Sequence, residues 1–204
     1  IAELKNQLAA AEFNRQQATN NLEQMAVMAE QTPLDSIIES ATFGHKDFDL
    51  FIEGLKQLPG HDLHLIVDAS GSMHGLTSFL IPVLRVIVVR SNKKLAALTW
   101  FSDNEAETYT GTMGDMFDKL MSGAPFGGTA ETIGKAFRVA ARRTRPPGAY
   151  LLIGDEPSSD RVSYSDIPSP VFTLPLGRSD PETNRAYQEI ADKTAGKMLH
   201  LDFK

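Results

Sequence analysis

The sequence predicts an α/β fold in which a mainly parallel sheet is covered by helices on both sides, and three observations lead there. Short apolar runs alternate with longer stretches of helical period, the rhythm of strand–crossover–strand units. One run, Leu63-His64-Leu65-Ile66-Val67, ends in Asp68-Ala69-Ser70-Gly71-Ser72, a carboxylate followed by hydroxyls at alternate positions. That run is too short for an amphipathic helix and reads as a buried central strand, and open α/β sheets carry their functional groups at that end. The 204 residues, 42% of them hydrophobic, suffice for one sizeable core and an appendage.

From the start, residues Ile1 to about Gln31 contain no Pro or Gly and are rich in Ala, Leu, Glu and Gln, which predicts one helix. Leu4, Leu8, Ala11, Ala18, Leu22, Met25 and Ala29 form a stripe of three- and four-residue steps, the period of a helix–helix seam. Arg15 interrupts it, and the alanines bury little area per layer. A coiled-coil end and a helix packed on its own domain both satisfy the pattern. Thr32-Pro33 ends or bends this helix; a shorter one follows over Leu34 to Ser40, then a connector at Phe43-Gly44-His45. Asp47 to Leu58 is again helical, with Leu50, Phe51, Leu55 and Leu58 able to face inward, and Pro59-Gly60 closes it. The division expected is a helical or coiled-coil segment over 1–43 and a domain over 44–204, with a helical lead-in to about 60.

Beyond the central strand, Leu76 to Arg90 is the first crossover helix, with Pro82 in its first turn or at a kink. Its β-branched residues make a strand the rival reading, but a parallel crossover needs the length of a helix. Lys94 to Phe101 is the next strand, and Ala106 to Tyr109 a short edge strand after the Asp103-Asn104-Glu105 turn. Met116, Phe117, Leu120 and Met121 mark a short helix, the methionines as core filling. Gly123 to Gly128 is a loop, and Ala130 to Arg143 a helix with Ile133, Ala136, Phe137 and Ala140 on one face. Tyr150 to Gly154 and Val171 to Leu174 are strands, Pro181 to Ala195 a helix, and Met198 to Leu201 the last strand.

Composition excludes several function classes. The net charge is −6 and the 20 basic residues form no long run, so nucleic acid, which needs a positive footprint, is not the expected partner. Absence of cysteine removes disulfides, thiolate catalysis and cysteine-ligated zinc. No stretch has the roughly 20 apolar residues that span a bilayer. The chain starts at Ile1 without an initiator methionine, as a processed product or fragment would, which leaves room for a membrane anchor upstream.

The candidate chemistry gathers at strand ends. Asp68, Ser70 and Ser72 converge if the backbone turns after Asp68. Thr129 follows Gly127-Gly128 at an expected helix start, and Asp155 follows the apolar Leu151-Leu152-Ile153. If these strands are neighbours, the five side chains form an incomplete octahedral shell of hard oxygens, suited to Mg²⁺ or Mn²⁺, with water filling the remainder. The two carboxylates nearly neutralise the ion, and the hydroxyls leave it electrophilic enough to seek a further oxygen. Singly, each residue has a plainer role: Ser70 and Ser72 in a turn, Thr129 as a helix N-cap, Asp155 in a turn before Pro157. His64 is expected as a hydrogen-bonded core residue and His74 at the rim of the site, not as a ligand.

At these residues the sequence resembles the von Willebrand factor type A family. Asp68-Ala69-Ser70-Gly71-Ser72 is similar to the Asp-x-Ser-x-Ser motif of that family's metal-ion-dependent adhesion site. Gly128-Thr129 resembles its second loop and Asp155 its third-loop aspartate. The resemblance covers roughly His61 to Lys204. It implies a three-layer α/β/α domain with a central six-stranded sheet, Mg²⁺ at its top, and an Asp or Glu of a protein partner completing the shell. Glu156 is a departure, because the family often has a small residue there; a second carboxylate can tighten cation binding or repel an acidic partner. No phosphate-loop motif or GxGxxG occurs, and Ala69-Ser70 offers no second carboxylate two residues beyond Asp68 for acid–base work. The expected function is metal-dependent protein binding, in adhesion or assembly, and not catalysis. The alternative is a structural module that assembles through the N-terminal helix, its ion merely stabilising the loops.

Overall fold

The computed structural model describes residues 4–15, 53–73, 81, 84–85, 88–176 and 180–199. The expected helices over 16–31 and 34–40, the connector at 43–45, His74 and Pro82 lie outside them. The chain divides into two units, Ile1–Ala41 and Thr42–Lys204. In the first, residues 4–15 are helical and Leu4, Leu8 and Phe13 are exposed.

The second unit is built on a five-stranded sheet. Its strands are β1 (Asp62–Asp68), β2 (Lys94–Ser102), β3 (Glu105–Tyr109), β4 (Ala149–Gly154) and β5 (Val171–Pro175), in the order β3-β2-β1-β4-β5. β1 pairs in parallel with both β2 and β4, and β4 in parallel with β5; β3 pairs antiparallel with β2. The result is a three-layer α/β arrangement with a mixed sheet flanked by helices. A sixth full strand is not formed among the described residues. The segment expected over Met198 to Leu201 adds one parallel bridge, Met198 to Thr173, flanked by hydrogen bonds from Thr173 N to Lys197 O and Leu199 N to Thr173 O.

α1 (Met113–Gly123) and α2 (Ile133–Arg143) connect β3 to β4, and α3 (Pro181–Lys193) follows β5. Residues 81, 84–85 and 88–90 are also helical, with Ile81, Leu84 and Val88 buried at helical spacing; helix, not strand, therefore occupies the first crossover. Met116 is buried as expected of core filling, but Met121 is 46% exposed, because it lies one residue past Leu120 and off the inward stripe.

Parity along β1 decides what meets what. His64, Ile66 and Asp68 point to one face and Leu63, Leu65 and Val67 to the other. Ile66 belongs to a buried cluster with Ile133, Phe137 and Ala140 of α2, and Tyr187 and Ile190 of α3. Asp68 therefore ends β1 on the α2–α3 side. His64 is a hydrogen-bonded core residue, its Nε2 2.7 Å from Thr99 Oγ1 and its Nδ1 3.4 Å from Thr144 Oγ1.

Candidate metal centre

The chain leaves β1 to run to β2 on one side, and β4 is laid on the other, so strand order reverses at β1. Open α/β sheets bind ligands in the crevice beyond the strand ends at such a switch point. Asp68 closes β1 and Asp155 directly follows β4.

The turn after β1 is made by the site residues themselves. Ala69 N still donates to Phe101 O across the sheet at 2.9 Å, and then Ser70 N turns back onto Asp68 Oδ1 at 2.7 Å. This side-chain turn folds residues 71–73 into a short 3₁₀ turn. Ser70 Oγ and Ser72 Oγ lie 2.9 Å apart, and Ser72 Oγ donates to Asp155 Oδ1 at 3.1 Å. Four of the five residues singled out by sequence are thus joined in one chain of polar contacts.

Thr129 is placed differently. Gly71 N donates to Gly128 O at 3.1 Å, which brings the second loop against the first. A side chain at Gly128, where φ is +83°, would collide with the Asp103 carboxylate. Asp103 Oδ1 accepts the Thr129 and Ala130 N–H groups at 2.9 and 3.0 Å, which holds its carboxyl below the usual range. Thr129 is exposed, and its hydroxyl makes no hydrogen bond among the described residues. Nor is it the helix N-cap: α2 starts only at Ile133, Thr132 makes no side-chain cap, and Asp160 caps the helix from the third loop. Asp160 Oδ1 accepts Gly134 N at 2.7 Å and Oδ2 accepts Lys135 N at 2.8 Å.

The loop before α2 contributes a residue that sequence reasoning passed over. Asp68, Glu131 and Asp155 each offer a carboxylate oxygen, and the three lie within 4.8 Å of one another. Glu131 is only 2% exposed, and the third loop clasps its carbonyl through Ser159 N at 2.8 Å. The signal in the sequence was an acid two residues after Thr129, but acids near a helix start usually serve the helix dipole. Glu156, by contrast, is exposed and stands outside this triad.

The electrostatics demand a cation or a proton. Asp68 Oδ2 and Glu131 Oε2 are buried without a hydrogen-bond partner. Burial first, and the adjoining Glu131 carboxyl second, push Asp68 well above the ordinary carboxylate range; burial raises Glu131 as well. A hard divalent ion fits these groups: every donor is an oxygen, and Asp68 Oδ2 and Glu131 Oε2 lack any other counterpart. A small acidic cluster able to coordinate a divalent metal ion is what the geometry establishes. Compared with known proteins, the chain matches no family model and no curated protein.

Proposed function

We propose that the chain is a divalent-metal-dependent protein-binding module of the von Willebrand factor type A kind. Asp68, Ser70, Ser72, Thr129 and Asp155 hold Mg²⁺, or Mn²⁺ in its place, beyond the ends of β1 and β4. A partner's Asp or Glu supplies a further oxygen. The observation that carries this reading is the continuous contact from Asp68 through Ser70 and Ser72 to Asp155, while the other Asp68 carboxylate oxygen, Oδ2, is buried with no hydrogen-bond partner. The ion supplies Lewis acidity toward an anionic oxygen; the chain supplies hard donors and an exposed rim at Ser72 and Thr129. Binding, not catalysis, is the role proposed, because the sequence carries no phosphate-loop motif, no GxGxxG and no second carboxylate two residues beyond Asp68.

Titration calorimetry with MnCl₂ on the wild-type chain and D68A tests the ion, and D68A should abolish most of the heat. Binding to arrayed Asp- and Glu-containing peptides, in Mg²⁺ and in EDTA, tests the partner. Equal capture in both buffers rejects the adhesion mechanism. T129A should weaken peptide capture more than it lowers stability.

One observation favours the structural alternative. Glu131 brings a third carboxylate from within the chain, so the ion is more fully neutralised before a partner arrives. In that reading the ion ties the three loops together, and assembly falls to other surfaces, such as the apolar residues Leu4, Leu8 and Phe13 exposed on the N-terminal helix. Stronger peptide capture by E131Q in Mg²⁺ would favour the adhesion mechanism with Glu131 as its brake.

A further inference from the structure

Tyr187 lies in the middle of α3, is fully buried, and has a hydroxyl with no hydrogen-bond partner. Buried phenols ordinarily find a partner, and a purely apolar need at this position would be met by Phe. What the hydroxyl faces is revealed by Gly154, the last residue of β4. A Cβ on Gly154 would stand 2.3 Å from Tyr187 Oη, 3.1 Å from Asp68 Cβ and 3.2 Å from Asp68 Oδ2. Both oxygens therefore converge on the space left by one absent side chain. Asp68 Oδ2 is the carboxylate oxygen that Ser70 leaves untouched, and it too has no partner. An orphaned donor and an orphaned acceptor share one small buried space.

The rest of α3 points the same way. One turn earlier, Thr183 Oγ1 donates to the Asp155 carbonyl at 3.3 Å, so the helix also touches the third loop of the site. A phenol O–H is a donor, which is what a carboxylate oxygen without a partner lacks.

We infer that Tyr187 is a positioning residue of the metal centre, its hydroxyl orienting the free oxygen of the Asp68 carboxylate and so tying α3 to the ion. The inference rests on the reading of the site as a metal centre. Groups that orient a metal ligand from behind typically change affinity by 10–100-fold when removed.

Y187F keeps the ring and deletes only the hydroxyl, and the test uses the full chain. Thermal melts in EDTA should show Y187F at least as stable as wild type, because an unpaired buried hydroxyl has gone. Calorimetry with MnCl₂ should show its affinity lowered about tenfold. A tyrosine ultraviolet difference spectrum on Mn²⁺ addition gives a second readout, expected in wild type and lost in Y187F. Equal Mn²⁺ affinity in the two chains overturns the inference and leaves the metal centre standing. A wild-type chain that takes up no Mn²⁺ overturns both. A Y187F chain that melts several degrees lower in EDTA marks the phenol as structural and overturns the inference alone.

Discussion

Asp68 and Glu131 are two buried carboxyls with unpartnered oxygens in one small space, a placement that is costly unless a proton or a cation is shared. Replacing Glu131 by Gln removes a charge and adds a donor while keeping the shape. The E131Q chain should melt higher than wild type in EDTA and bind Mn²⁺ at least about tenfold more weakly. Unchanged Mn²⁺ affinity would place Glu131 outside the ion's reach. Legibility in the sequence divides along the same line. Asp68 and Asp155 were visible because each ends a run of apolar residues, where a carboxylate needs a reason. Ser70 and Ser72 followed from their spacing. Glu131 follows no such run, and its approach to Asp68 depends on β1 parity and on where α2 begins, neither of which is local to its own stretch.

The elements hold the loops by borrowed caps. Thr132, the residue before α2 (φ −88°, ψ 61°), makes no side-chain cap, and the free N–H groups are taken by Asp160 from the loop after β4. A side chain on Gly134 would meet Arg161 O at 2.2 Å, so glycine is what lets that loop lie on the helix end. D160A should cost about 1–2 kcal/mol in urea unfolding, the usual cost of a lost cap. Because the same loop carries Asp155, Mn²⁺ affinity should fall as well; a stability loss with no change in affinity would show that the two ends of the loop are uncoupled. Periodicity located these elements well but not their ends. Ala130 to Thr132 looked like helix because alanine and an acid suit a first turn, yet Asp103 draws the Thr129 and Ala130 N–H groups away to the β2–β3 turn. Met198 looked like the start of a strand, and pairs with β5 only through a single bridge.

At the scale of the whole domain, alternation of strand and helix was legible, whereas the strand order that sets β1 between β2 and β4 was not, because pairing partners are distant in sequence. That order buries His64 within the sheet and Asp68 at the end of its central strand, and the two respond to pH in opposite senses. Burial lowers His64 from 6.5 to about 4. Above about pH 6.5 neither the folded nor the unfolded chain protonates it. Between 6.5 and 4 only the unfolded chain does, so falling pH costs the fold about 3 kcal/mol, with no further loss below. Asp68 and Glu131 are raised, so the metal-free fold retains their protons longer than the unfolded chain. Their contribution is complete below the unfolded carboxylate range and is lost as pH rises through the folded values. A divalent ion takes the place of that proton, so its stabilising effect should grow with pH. At Mn²⁺ near 100 times its Kd the expected gain is about 2.7 kcal/mol, a rise of roughly 5–10 °C in Tm for a domain of this size. Melts from pH 5 to 8, with MnCl₂ and with EDTA, should diverge steadily toward alkaline pH. In D68A the two curves should coincide while the acid-side loss from His64 persists. A Mn²⁺ gain that is constant across pH would mean that the ion does not compete with the proton of the acid pair, and would move the ion away from Asp68 and Glu131.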